Sequence, residues 1–313
     1  MEYVVKMIKF SVVIPLYNKE EDIINTLTSV LNQSYEVDEV IVVDDGSTDS
    51  AVRLINEEFK DMINVVSQKN MGVSSARNRG ILEARNEYIC LLDGDDLWEQ
   101  GFLEEIVKLI EVFPHATFYS TAHTYMNEDG NLLEGKVSKH EDRRSLTENF
   151  SETFRTNYRL VNSSSVCIRK SSKVIFPEAE QKGEDICVWL ELGRKGSLAY
   201  SSNRLSIYRL NGSNRSVSVH SEAIVPCPLK WFYKNKEKLQ NEKNYESIRK
   251  FIYSNILITV YGGFALSKNY QSISSIIQLM KKQNDRFYLL LYPAYLVPLK
   301  LLEILKKLRR KMK

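Results

Sequence analysis

Two hydrophobic periods alternate along the N-terminal third of the chain. Ile8 to Pro15 is a short run rich in Val and Ile that ends in proline. Glu20 to Asn32 then places Ile23, Ile24, Leu27, Val30 and Leu31 at helical spacing. Val40 to Val43 is a second continuous apolar run, stopped by Asp44-Asp45-Gly46. Ser47, Thr48 and Asp49 are N-cap candidates for a helix bearing Val52, Leu54, Ile55 and Phe59. Ile63 to Val66 predicts a third strand, Val73 to Ala84 a third helix and Tyr88 to Leu92 a fourth strand. Continuous apolar strands alternating with helices imply an α/β protein with a mostly parallel sheet and helices on both faces.

The middle of the chain is less regular. Glu99 to Val112 predicts a helix. Ala116 to Tyr125 and Leu132 to Val137 flank Asn127-Glu128-Asp129-Gly130, a hairpin pattern. Val161 to Arg169 and Leu198 to Tyr208 predict strands, with a helix over Glu184 to Arg194 between them. Arg209 to Ser218, rich in Asn and Ser, predicts a loop, and mainly helices are expected from Glu222 onward.

Parallel sheets bind ligands at the carboxyl ends of their strands. The segments that follow the four N-terminal strands are therefore the candidate site. They are Pro15-Leu16-Tyr17-Asn18, Asp44-Asp45-Gly46-Ser47, Gln68-Lys69-Asn70-Met71-Gly72 and Asp93-Gly94-Asp95-Asp96. Three carboxylates within four residues repel one another, and burying them uncompensated is costly. A solvated acidic turn satisfies that constraint. So does a hard divalent ion such as Mg²⁺ or Mn²⁺, which takes one or two carboxylates and fills its shell with phosphate oxygens and water. Asp44-Asp45 offers either a helix cap or an acceptor for a base or ribose. Arg77 is placed to offset the acidic rim or touch a diphosphate, and Arg79 to lie at the surface.

Charge narrows the classes. The net charge is +3, but six basic residues lie between Lys306 and Lys313, and without them 37 basic residues face 40 acidic ones. The body is not a nucleic-acid-type basic protein. A mean hydropathy of -0.30 excludes a polytopic membrane protein. The first residues show neither a sustained apolar stretch nor a small-residue cleavage site, so no secretory signal is expected. Cys90, Cys167, Cys187 and Cys227 form no CxxC pair and are expected as core thiols in a reducing cytosol. Phe287 to Leu299 is almost wholly apolar but too short for the about 20 residues of a membrane span, and Pro293 and Pro298 break it. Its tyrosines, followed by Leu301, Leu305, Leu308 and Met312 among cations, suit a peripheral helix on an anionic bilayer.

Five blocks in order carry a resemblance: SVVIPLYNKEEDIINTLTSVLNQSY, VIVVDDGSTDS, NMGVSSARNRG, YICLLDGDDLW and GEDICVWLELGRKG. Together, over roughly residues 8–215, they resemble the inverting family 2 glycosyltransferases with the GT-A fold. The resemblance implies a catalytic domain over 1–220, with a nucleotide-sugar half at about 1–98 and an acceptor half at about 99–220. A helical, membrane-associating region over 221–313 follows. It implies that Pro15, Tyr17, Asn18, Glu20, Asp45, Asn70, Gly72, Arg77, Asp93, Gly94 and Asp95 bind a nucleotide sugar, with Asp45 on a base that is usually uracil. Asp93-Gly94-Asp95 matches the DxD motif, with Asp95 the first candidate for the Mn²⁺ or Mg²⁺ ligand and Asp93 and Asp96 beside it. Asp185 matches the usual catalytic base, and Glu184 is second choice.

The expected function is transfer of one sugar from a UDP-sugar to a hydroxyl of a lipid-linked glycan acceptor. The expected location is the cytoplasmic face of the cell membrane, with no nucleic-acid partner. The rival readings are a nucleotidyltransferase on a related sheet and a non-catalytic scaffold. Tyr208-Arg209 is followed by Leu210-Asn211 where many relatives have a metal-binding histidine, so no histidine ligand is assigned, and His220 stands out of register. The QxxRW signature of processive synthases is absent, which argues for single-sugar addition.

Overall fold

The structure, a computed structural model, describes residues 7–133, 144–157, 160–178, 180, 183–210, 223–265 and 267–295. The chain divides into two compact units. The first comprises residues 1–150, 157–179 and 188–216, and the second 151–156, 180–187 and 217–313.

In the first unit, strand β1 (Phe10–Leu16) is buried along its whole length, as is β2 (Glu39–Asp44). Helix α1 (Ile23–Leu31) links them, and α2 (Ala51–Phe59) leads to β3 (Asn64–Ser67). Helix α3 (Val73–Glu83) leads to β4 (Tyr88–Leu91). All pairings among these four strands are parallel, in the order β3-β2-β1-β4. The continuous apolar runs reflect burial on both faces, with Ile23, Leu27 and Val30 of α1 and Ile55 and Phe59 of α2 in the core.

Beyond β4 the sheet becomes mixed. It continues through β5 (Leu97–Trp98), α4 (Phe102–Val112), β6 (Phe118–Met126), β7 (Leu132–Leu133) and β8 (Arg144–Thr147). After α5 (Phe150–Thr156) come β9 (Val166–Arg169), α6 (Glu184–Lys195) and β10 (Leu198–Arg209). Strand β9 runs antiparallel between β4 and β6, while β6 and β10 are parallel. The hairpin at Asn127 forms, and the Asn127 side chain accepts the Asn131 N–H at 2.8 Å. Its second arm is described only over Leu132–Leu133.

One local expectation changes, and one strand has no counterpart in the sequence reading. The strand predicted from Val161 starts at Val166, because Asn162 to Ser165 form a hydrogen-bonded turn instead. Arg144–Thr147 has no apolar alternation, yet pairs with β10. Its Arg144 makes two bonds, 2.7 and 2.9 Å, to buried Glu105 of α4. That ion pair replaces the missing hydrophobic signal.

The second unit is helical, as expected. Helices α7 (Cys227–Lys234), α8 (Lys236–Leu239), α9 (Tyr245–Thr259) and α10 (Tyr270–Lys282) are followed by a 3₁₀ segment, Arg286–Tyr295. Phe232, Phe251, Ile252, Ile256 and Ile276 are fully buried or nearly so. Asp285 accepts the hydroxyls of Tyr233 and Tyr253 at 2.7 and 2.6 Å. Burial and the bond to Asp285 both push these phenols upward in pKa. Among the described residues no helix is long and apolar enough to cross a membrane. The basic stretch from Lys306, the loop beyond Leu210 and His220 lie outside the described residues.

The cysteine expectation is corrected in part. Cys90 and Cys167 are free and buried, directly opposite each other on β4 and β9. Cys187 and Cys227 are instead joined in a disulfide, with Cα atoms 6.7 Å apart. Forty residues separate them, so only folding brings the first turn of α6 to the start of α7.

Candidate functional site

The carboxyl edge of the parallel strands is built by polar cross-links between successive loops. Pro15 and Leu16 close β1 opposite Val43 and Asp44. Tyr17 beyond them is 41% exposed, a ring available for stacking. Asn18 has a left-handed backbone (φ 50°) and accepts the Thr48 N–H at 2.7 Å. Glu20 accepts the Ser50 N–H, and its own N–H binds Asp49, both at 2.9 Å. Asn18 and Glu20 thus tie the loop after β1 to the loop after β2. Asp44 caps the same loop by accepting the Ser47 N–H at 2.9 Å.

Asp45 is 3% exposed and faces the loop after β3. One oxygen accepts Gln68 Nε2 at 2.8 Å and the Met71 N–H at 2.9 Å, and the other accepts the Gly72 N–H at 2.7 Å. The Gln68–Gly72 segment, including Asn70, is therefore wrapped around this carboxylate.

The acidic motif after β4 carries its own counter-charges. Arg77 of α3, almost fully buried, binds Asp93 at 2.7 Å, with its guanidinium over the Phe176 ring. Lys19 Nζ binds Asp95 Oδ2 at 2.6 Å. Burial raises the Asp95 carboxyl, and the bond from Lys19 opposes that rise. Gly94 lies so close to β1 that a Cβ would meet the Pro15 carbonyl oxygen at 3.1 Å. Thr26 of α1 supports the turn from behind by donating to the carbonyls of Gly94 and Asp96.

Asp96 departs from the metal expectation. It is 1% exposed, and its oxygens take the Ser164 hydroxyl and the Arg209 N–H. Burial and repulsion from Asp93 and Asp95 push its carboxyl well above the usual range. Because both oxygens face the interior, Asp96 leaves the set of metal-ligand candidates. Arg79 is at the surface, paired with Glu83.

Lys19, Ser164, Asp22 and Arg209 join this network of contacts, although the sequence reading gave none of them a role in it. Ser164 joins Asp93, Asp96, Trp98 and Ser206 through its hydroxyl and carbonyl. Arg209 binds Asp22 at 2.6 Å. The cation in Asn18-Lys19-Glu20 and the serine run 163–165 were the available signals.

In the second unit, Glu184 and Asp185 open α6 directly after Gly183 (φ 77°). A side chain at Gly183 would meet the Pro228 ring at 3.0 Å, and the Cys187–Cys227 disulfide adjoins that contact. The acidic turn is thus held against the start of α7.

The family model described as glycosyl transferase family 2 matches residues 11–175, more than half of the chain. The chain belongs to glycosyl transferase family 2. TuaG of Bacillus subtilis, a glycosyltransferase named for teichuronic acid biosynthesis, is 31% identical over 73% of this chain and 88% of its own length. AmsB of Erwinia amylovora, an amylovoran biosynthesis glycosyltransferase, is 38% identical over 34% of this chain and 37% of its own. An uncharacterized glycosyltransferase of Rickettsia bellii is 33% identical over 66% of this chain, which spans only 29% of that relative. Against two further rickettsial relatives the chain spans about a third of their length. Among solved structures, S. aureus TarS 1–349 in complex with UDP matches with a TM-score of 0.68 at 18% identity, over 98% of this chain and 92% of that one. The complex of the same protein with UDP-GlcNAc also gives 0.68, at 19% identity, over 87% and 81%. This family 2 member therefore has the GT-A architecture expected from its sequence.

Proposed function

We propose that this protein is a glycosyltransferase that moves one sugar from a UDP-sugar to a hydroxyl of a lipid-linked glycan acceptor with inversion. The observation that carries the reading is the strand-end constellation of Tyr17, Asp45 and Asp93-Gly94-Asp95. It combines an exposed ring for a base, a loop organised on a carboxylate, and two partly exposed acids flanked by cations. TarS, with the same fold, has been solved with UDP and with UDP-GlcNAc. TuaG and AmsB are named for polysaccharide biosynthesis, which supports a glycan acceptor.

Asp93 and Asp95 are a suitable donor set for Mn²⁺ or Mg²⁺, which needs only one or two protein carboxylates when phosphate and water complete its shell. Asp95 would be the direct ligand. Such an ion supplies electrostatic stabilisation of the leaving diphosphate. Arg77 holds Asp93 in place from the buried side. Asp185 takes the proton of the attacking hydroxyl, with Glu184 beside it in the same first turn, and such a base contributes about 10²–10⁴-fold. Displacement from one face inverts the anomeric carbon.

The membrane part rests on the second unit. Leu289, Leu290 and Tyr292 are 54%, 54% and 41% exposed, just ahead of the cationic stretch. This chemistry fits the inner face of the cell membrane. In a reducing cytosol Cys187 and Cys227 would stand as neighbouring thiols. A thermal-shift panel of nucleotide sugars with Mn²⁺ tests the donor. Saturation at 100 times the dissociation constant adds about 2.7 kcal/mol. No shift with any UDP-sugar, or release of pyrophosphate instead of UDP, would reject the reading.

A further inference from the structure

Asp95 already has a cation. Lys19 Nζ lies 2.6 Å from its Oδ2, and the two side chains are only 13% and 17% exposed. The bond reaches across 76 residues, from the loop after β1 to the turn after β4. Lys19 follows Asn18, whose cross-links to Ser47 and Thr48 fix the start of that loop. Glu20 on the other side is fixed by Asp49 and Ser50. The backbone on both sides of Lys19 is therefore anchored, and its ammonium is delivered to Asp95 by the fold.

A divalent ion binds carboxylate oxygen at roughly 2.0–2.1 Å. An ion on Asp95 would stand within a few ångströms of the Lys19 ammonium. In a poorly solvated site the repulsion between those charges is strong. A nucleotide diphosphate brings the negative charge that relieves it. We propose that Lys19 competes with the divalent cation for Asp95, so that the ion binds tightly only together with the nucleotide diphosphate. The proposal rests on the reading of Asp95 as the metal ligand. Lys19 is a positioning residue that makes metal occupancy conditional on donor, and keeps Asp95 compensated when both are absent.

The test is titration of the full chain with Mn²⁺ alone, by calorimetry or by loss of the free-ion spin-resonance signal. Lys19→Met and Lys19→Gln are expected to bind Mn²⁺ at least about tenfold more tightly than the parent protein. Lys19→Arg keeps the charge and should retain the weak parental affinity. Adding Asp95→Asn to Lys19→Met should abolish the gain. Circular dichroism confirms that each variant is folded. Added UDP should tighten Mn²⁺ binding greatly in the parent and much less in Lys19→Met. Equal or weaker Mn²⁺ affinity in both neutral variants overturns the proposal, as does no Mn²⁺ binding to any form. A gain with Mn²⁺ alone but no response to UDP keeps the competition and rejects the donor reading instead.

Discussion

The carboxylate of Asp45 accepts the backbone N–H of Gly72 at 2.7 Å, closing the loop after β3 onto the end of β2. Its second oxygen takes Gln68 and Met71. An acid that the resemblance assigns to base recognition is therefore also the organiser of the loop beside it. Asp45→Ala would remove the shared acceptor of the partly buried bonds from Gln68, Met71 and Gly72, at about 1.5–3 kcal/mol of stability, the range for hydrogen bonds to a charged group. UDP affinity should fall at least about tenfold, equivalent to about 1.4 kcal/mol. Calorimetric titration with UDP and a melting curve measure the two effects. Unchanged affinity in a folded variant would confine Asp45 to a structural role.

Asp185→Asn separates acceptor chemistry from donor binding. The variant should bind UDP as the parent does, because the carboxylate acts on the acceptor hydroxyl. Its kcat should drop by at least about 10², the lower end for a general base. Parental turnover with a glycan acceptor would transfer the role to Glu184 or to another group.

Glu105 gives the first unit a defined acid sensitivity. Burial raises its carboxyl, but hydrogen bonds from Arg144 and Ser201 outweigh this and leave it below the ordinary 4.5. The folded state therefore binds the proton less readily than the unfolded one. The resulting stability is complete above about pH 4.5 and is lost as pH falls through the depressed value. Glu105→Gln should cost about 1.5–3 kcal/mol at pH 7, the range for hydrogen bonds to a charged group. Its denaturation midpoint should vary less with pH below 4.5 than that of the parent. Parallel pH profiles for the two proteins would contradict this account.

The exposed Leu289 and Leu290 and the cations from Lys306 to Lys313 should act together on anionic vesicles. Each cation near the surface contributes about 1 kcal/mol. That term weakens as the Debye length shrinks from about 10 Å at 0.1 M salt to about 3 Å at 1 M. Co-sedimentation should show binding to anionic vesicles, less to neutral ones, and partial release by salt. Deleting 286–313 should remove binding and preserve UDP recognition. Indifference to anionic vesicles at low salt would assign the segment to packing within the protein or against a partner.

The sequence by itself determined the parallel half of the sheet and which loops gather at its carboxyl edge. Runs such as Val40–Val43 are apolar throughout because both faces of those strands are covered, and the polar residues that follow each run must gather at one edge. The helical second unit was legible for the same reason, since apolar spacing is a local property. Tertiary structure decided what has no local period. Arg144–Thr147 becomes a strand only because β10 and Glu105 receive it. Asp96 turns inward while Asp93 and Asp95 stay partly exposed, because Ser164 and Arg209 arrive from distant segments to take its oxygens. Lys19 becomes the counter-ion of Asp95 across 76 residues, and Cys187 meets Cys227 across 40. Partners that remote share no spacing rule, so only the folded chain can pair them.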